Sequence, residues 1–157
     1  MHSSKPCMAY LPWIISVGII AFDQISKAYV SHSLFLGESI PIIRNMFHLS
    51  LVYNTGVAFG LFKNYGLVFV AISLFVIGYI VRDSISNQKY YSRRKQIAFS
   101  LILGGACGNV IDRLHFGYIV DFLDFRIWPV FNIADSAITI GIALLAYSLL
   151  KKPVTRN

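Results

Sequence analysis

Two aspartates stand where ionisable groups are costly. Asp121 lies in "IVDF" and Asp135 in "FNIAD", at the head of the apolar run "ITIGIALLAYSLL". An ionised Asp deep in a bilayer costs about 2.5 kcal/mol or more, so one found there is usually paired or functional. Only 13 residues separate the two, so they can meet across the connecting loop. Two carboxylates held about 3 Å apart share one proton. The ionised one can take a proton from water while the protonated one donates to a carbonyl oxygen, the pair of acts that lets water attack an amide. Duller readings stand beside this one. Asp135 can be a helix N-cap, and Asp121 a solvated loop acid. Asp112 is an alternative partner for either. No H-E-x-x-H or G-x-S-x-G is present, so zinc and serine hydrolases lack their motifs. His48 and His115 stand alone and read as interfacial. No metal or cofactor is expected.

Other polar residues interrupt apolar sequence at helical spacing. Asp23 and Lys27 are four apart, so their side chains can form an ion pair within one helix. Asn109 lies three residues before Asp112 and four before Arg113, near one face. Arg113 follows Asp112 directly and so is expected to reach another carboxylate or a backbone carbonyl. Asn132 precedes Asp135 by three. Gly104 and Gly108 form a G-x-x-x-G pair, with Gly105 and Ala106 between them, which lets a second helix approach closely.

These residues must be positioned by membrane-spanning helices. The chain has 157 residues, 56% hydrophobic and only 13% charged, with mean hydropathy +0.63. A soluble domain carries about 25% charged residues. Four runs approach the roughly 20 apolar residues that a span needs: about 10–30, 65–81, 96–116 and 133–150. One domain over residues 1–157 is expected. The net charge of +7 does not signal nucleic acid, because Lys and Arg punctuate apolar runs. Arg82, Lys89, Arg93, Arg94 and Lys95 between spans two and three, Lys151, Lys152 and Arg156 in the tail, and Lys5 make nine of the 14 basic residues. By the positive-inside rule both termini and the middle loop are cytoplasmic. Of the seven acids only Asp83 then falls on the cytoplasmic side; the rest gather at the outer rim.

The first outer connection is not plain coil. In "FHLSLVY" Phe47, Leu49, Leu51 and Tyr53 alternate with His48, Ser50 and Val52, the period of a strand with one apolar face. Residues 38–62 therefore read as a small sheet on the outer membrane surface. Tyr10, Trp13 and Trp128 fit headgroup belts. Cys107, inside "GGACGN", reads as a small buried thiol. Cys7 has no apolar stretch before it, so it does not read as a lipidated cysteine. The first apolar run lacks a small-residue cleavage site and is expected to be retained.

Five strings now stand in order on four spans: "DQISK" (23–27), "NTGVAFG" (54–60), "GNVIDR" (108–113), "IVDF" (119–122) and "FNIAD" (131–135). Together they resemble the bacterial lipoprotein signal peptidases, the type II signal peptidases, over about residues 10–150. The resemblance implies a four-span α-helical membrane protein with an extracytoplasmic β-cradle between the first two helices, and a short lid helix near the second outer loop. It implies a metal-free aspartic endopeptidase of the cytoplasmic (inner) membrane. Such enzymes cut prolipoproteins just before a cysteine that carries diacylglycerol. The catalytic pair maps onto Asp121 and Asp135, while Asn54, Gly56, Asn109, Arg113 and Asn132 line or brace the site. Asp112 becomes a supporting residue, as do Asp23 and Lys27. Partners are lipidated precursors and membrane lipids, with the chain acting as a monomer. The link from Asp121 to Asp135 is at the short side for this family, and Ile119–Val120 replaces its commoner double valine.

Two other readings compete. A small proton-coupled transporter would also carry intramembrane acids, but it should show polar residues through the full membrane thickness. A non-enzymatic assembly factor would use the acids only as caps and would tolerate Asp→Asn at 121 and 135.

Overall fold

Stretches rich in Gly and Ala inside an apolar helix allow close neighbours on several sides. "LILGGACG" makes such a helix the axis of the fold. The structure, a computed structural model, describes residues 7–56 and 66–150. Its helices are α1 (Cys7–Ser33), α2 (Gly66–Asn87), α3 (Arg93–Phe116) and α4 (Ile133–Leu150), with a 3-10 turn at Gln88–Tyr90. Three strands complete it: β1 (Ser39–Ile43), β2 (Phe47–Asn54) and β3 (Ile119–Asp124). All four helices are long and apolar enough to cross a membrane. The most apolar stretch of α3 is 67% buried, against 22%, 11% and 17% for α1, α2 and α4, so α3 is the central helix. It packs against each of the other three.

The small residues of α3 explain the approach. A Cβ on Gly104 would meet Ile19 and the Ser16 carbonyl of α1, and one on Gly105 would lie 2.4 Å from the Ala134 carbonyl oxygen of α4. Lipid gives helices no hydrophobic reason to associate, so tight packing and interhelical hydrogen bonds must hold them. The outward faces carry exposed Ile14, Val17, Phe22, Ile25, Phe75, Tyr79, Ile142 and Leu149, the surface that meets acyl chains. Ser92 caps α3 by accepting from the Lys95 amide, and Gly117 ends it at φ 79°, a left-handed conformation that glycine adopts without strain.

The strands form one antiparallel sheet in the order β1-β2-β3. It covers the end of the bundle where α1 and α3 finish and α4 begins. Leu51, Val120 and Phe122 pack there on Val30 and Leu34 at the end of α1. Full burial of each such side chain is worth about 1.5–3 kcal/mol relative to water. The register shifts between Leu49 and Val52, after which Val52 lies opposite Asp121 and Asn54 opposite Ile119.

Several expectations need revision. The sheet is not confined to the connection between α1 and α2, because its third strand is β3. Asp121 is therefore a strand residue, 1% exposed, and not a solvated loop acid. α2 runs on to Asn87 rather than stopping at Val81. The second connection holds β3 and bends but no helix; Arg126 takes φ 66° and Pro129 follows, neither of which suits a helical turn there. Trp13 is half-buried against the cluster of Ile80, Phe99, Ile102 and Leu103, and Cys107 is likewise half-buried beside it. Lys5, the tail basic residues and Val57–Gly60 of the second string lie outside the described residues.

Candidate functional site

At the sheet end, three asparagines surround two aspartates. Asn132 stands immediately before α4, and its Oδ1 accepts the Asp135 amide at 2.8 Å. Asn132 is thus the N-cap, and Asp135, three residues later, occupies the third helical position; the cap reading of Asp135 itself is corrected. With Oδ1 committed to that amide, Nδ2 must face the other way, and it donates to Asp121 Oδ1 at 2.7 Å. Asn54 follows the same logic. Its Oδ1 accepts the Gly56 amide at 3.0 Å, so its Nδ2 donates to Asp121 Oδ2 at 2.9 Å. Asn109 Nδ2 donates to Asp135 Oδ1 at 2.8 Å. Each carboxylate is held by neutral amide donors, and no cation pairs with either among the described residues.

Strand alternation explains how Asp121 reaches this place. Val120 and Phe122 turn into the apolar cluster, and Asp121 between them faces the opposite side. There it lines a cavity of about 570 Å³, together with Asn54, Gly56, Asn109, Arg113 and Asp135. Burial first, and the neighbouring charge of Asp135 second, raise the Asp121 carboxyl to a pKa of about 7, against the pull of its amide donors. Trp128 and Phe131, from the loop between β3 and α4, form another part of the wall. Arg113 Nη2 makes a long contact of 3.5 Å to the Gly56 carbonyl, and its guanidinium lies 5.2 Å from the Phe69 ring centroid. The expected backbone partner is therefore present.

The remaining candidates lie behind the cavity wall. Lys27 pairs with Asp23 at 2.7 Å and with Asp112 at 2.9 Å, all three buried. Asp112 also accepts the Val120 amide at 3.1 Å and does not line the cavity, which removes it as a partner for Asp135. A Cβ on Gly108 would lie 2.6 Å from Asp23 Oδ2, so this glycine makes room for the cluster. Sequence reasoning missed Gln24, whose Nε2 donates to Asp112 Oδ1 at 2.8 Å and contacts Asp23 Oδ2 at 3.2 Å. A polar residue beside Asp23 in a span was the available signal. Among the described residues no buried side-chain polar atom lacks a partner.

These features define a four-span membrane protein whose candidate centre is a pair of buried aspartates facing a cavity. The signal peptidase (SPase) II family model matches residues 15–151, and the chain belongs to that family. It is similar to the lipoprotein signal peptidase of Halothermothrix orenii, 44% identical over 85% of this chain and 90% of the relative. The lipoprotein signal peptidase of Moorella thermoacetica is 43% identical over 87% and 91%. A solved bacterial membrane enzyme superposes with a TM-score of 0.86 at 32% identity, covering 94% of this chain and 92% of that one. The chain is thus a hydrolase of an aspartic peptidase family, and the transporter alternative finds no support among its relatives.

Proposed function

We propose that this protein removes signal peptides from diacylglyceryl-modified prolipoproteins, cutting just before the lipidated cysteine. Asp121 and Asp135 act as the acid–base pair. The observation that carries this reading is that both aspartates line one cavity while Asn132 bonds to each. A proton shared by the pair leaves one oxygen basic enough to take a proton from water. The other carboxyl then donates to the scissile carbonyl oxygen as the tetrahedral centre forms. The raised Asp121 keeps such a proton available near neutrality.

The protein works in the bacterial cytoplasmic membrane, sheet end outward and both termini inside. Exposed Arg82, Lys89, Arg93 and Arg94 at the opposite end support that orientation. In this reading the chain acts as a monomer. Asn54, Gly56 and Asn109 border the substrate; Arg113, Asn132, Asp112, Asp23 and Lys27 brace the site. The test is cleavage of a diacylglyceryl-cysteine peptide against its unlipidated twin by reconstituted protein, with and without chelator. Cleavage of the lipidated peptide alone, before cysteine and unaffected by chelation, is expected. Equal cleavage of both peptides contradicts the substrate assignment, and loss on chelation contradicts the mechanism.

A further inference from the structure

Lys27, on α1, does not line the cavity, yet it connects to both sides of the aspartate pair. An ammonium has three N–H donors. Here they meet Asp23 Oδ2 at 2.7 Å, Asp112 Oδ2 at 2.9 Å and Asn109 Oδ1 at 3.2 Å. Each of the two carboxylates then grips a backbone amide. Asp112 Oδ2 accepts from Val120 at 3.1 Å, and Asp23 Oδ1 accepts from Ala134 at 2.9 Å. Val120 immediately precedes Asp121, and Ala134 immediately precedes Asp135. The third branch, Asn109, donates to Asp135 itself. Gln24 ties the two carboxylates together from the same helix.

We infer that Lys27 is a positioning residue: with Asp23 and Asp112 as its two arms, it fixes the separation of Asp121 and Asp135 by holding the amide that precedes each. The inference rests on the reading of those aspartates as the acid–base pair. Stability alone does not explain the arrangement. One cation between two anions, at 3%, 0% and 1% exposure, is a costly way to join helices. Apolar replacements of buried ion clusters are often neutral or stabilising. What apolar side chains cannot do is accept two amides from two different elements and tie both to one point. The Ala134 amide belongs to the open first turn of α4, where backbone N–H groups need outside acceptors.

The test uses full-length reconstituted protein, a diacylglyceryl-cysteine peptide and the isosteric variants Asp23→Asn, Asp112→Asn and their double. A displacement near 1 Å costs about 100-fold in rate. Each single variant is therefore expected to lose about 100-fold in kcat with KM changed by less than about threefold. The double should lose no more than about tenfold beyond the worse single, because both arms act on one separation. A second variant, Asp23→Leu/Lys27→Met/Asp112→Leu, removes the ions together; it should melt somewhat below the wild type, because the Val120 and Ala134 amides lose their acceptors, and should lose about 100-fold in kcat while still folded. Single losses that multiply in the double, or that fall on KM, overturn the inference, as does a folded triple variant with kcat within about tenfold of wild type. If the triple variant does not fold, the Asp→Asn cycle alone decides. Asp121→Asn and Asp135→Asn serve as references. Full activity in them overturns the acid–base reading, and this inference with it. Inactive references beside a multiplicative cycle overturn the positioning role alone.

Discussion

The side-chain amide of Asn132 donates to Asp121 Oδ1 at 2.7 Å from the residue that opens the helix carrying Asp135. One side chain therefore sets both the start of α4 and the orientation of a carboxylate on β3. The two roles separate by mutation. Asn132→Ala loses both the cap, worth about 1 kcal/mol, and the donor to Asp121. Asn132→Ser keeps a cap acceptor but cannot reach Asp121 as an amide does. Thermal melts should show Ser recovering much of the stability that Ala loses, while cleavage stays low in both. Activity in the Ser variant near wild type would contradict the account.

The raised Asp121 sets the pH dependence. Its pKa of about 7 places the loss of the shared proton near neutrality, so kcat should fall as pH rises through that region. Asn54 donates to the ionised form and pulls the value down. Asn54→Ala should thus move the alkaline limb to higher pH. A limb that stays put or moves lower contradicts the assignment.

Stability should respond to the same group. The unfolded chain releases the Asp121 proton near 3.8, whereas the folded chain keeps it to about 7. Between those values the folded state binds more protons, so this residue makes stability fall as pH rises from about 4 to 7 and level off above. Melting temperatures of the wild type and Asp121→Asn across that range should differ by a slope of this sign. Parallel curves would show that Asp121 is not held protonated.

The close approach of α3 and α4 gives a steric test. Gly105→Ala would place a Cβ 2.4 Å from the Ala134 carbonyl oxygen, pushing away the first turn of α4. Overpacking of this kind costs about 1–3 kcal/mol, and activity should drop with it because Asp135 moves. Gly78→Ala, with nothing within 4 Å, is the control and should change neither.

Arg113 joins α3 to the Gly56 turn and to Phe69 of α2. Arg113→Ala should lower activity and melting temperature together, the latter by about 2–4 °C per kcal/mol lost. Arg113→Lys should recover little, since an ammonium lacks the planar fork that lets one group meet the Gly56 carbonyl and the Phe69 ring together. Activity lost at an unchanged melting temperature would contradict the bracing role.

Much of this arrangement was legible as spacing. The four-residue interval between Asp23 and Lys27 gave their ion pair, the alternation in Phe47–Tyr53 gave β2, and the small residues of α3 gave its close neighbours. What stayed hidden depends on tertiary contact. Ile119–Asp124 is buried or half-buried throughout, so it lacks the one-sided alternation that marks a strand, and its pairing with β2 joins segments far apart in the chain. Asn132 and Asp135 are both good helix starters, so composition could not say which one caps. Gln24 sits one residue from Asp23, and helical neighbours do not face each other; only the approach of α3 gives its amide two carboxylates to hold.

The most direct measurement is cleavage of a diacylglyceryl-cysteine peptide by Asp121→Asn and Asp135→Asn, each reconstituted and verified as folded by its melt. Both should bind the peptide and leave it uncut. Turnover by either variant at a rate near that of the unaltered protein would show that the two carboxylates do not carry the reaction.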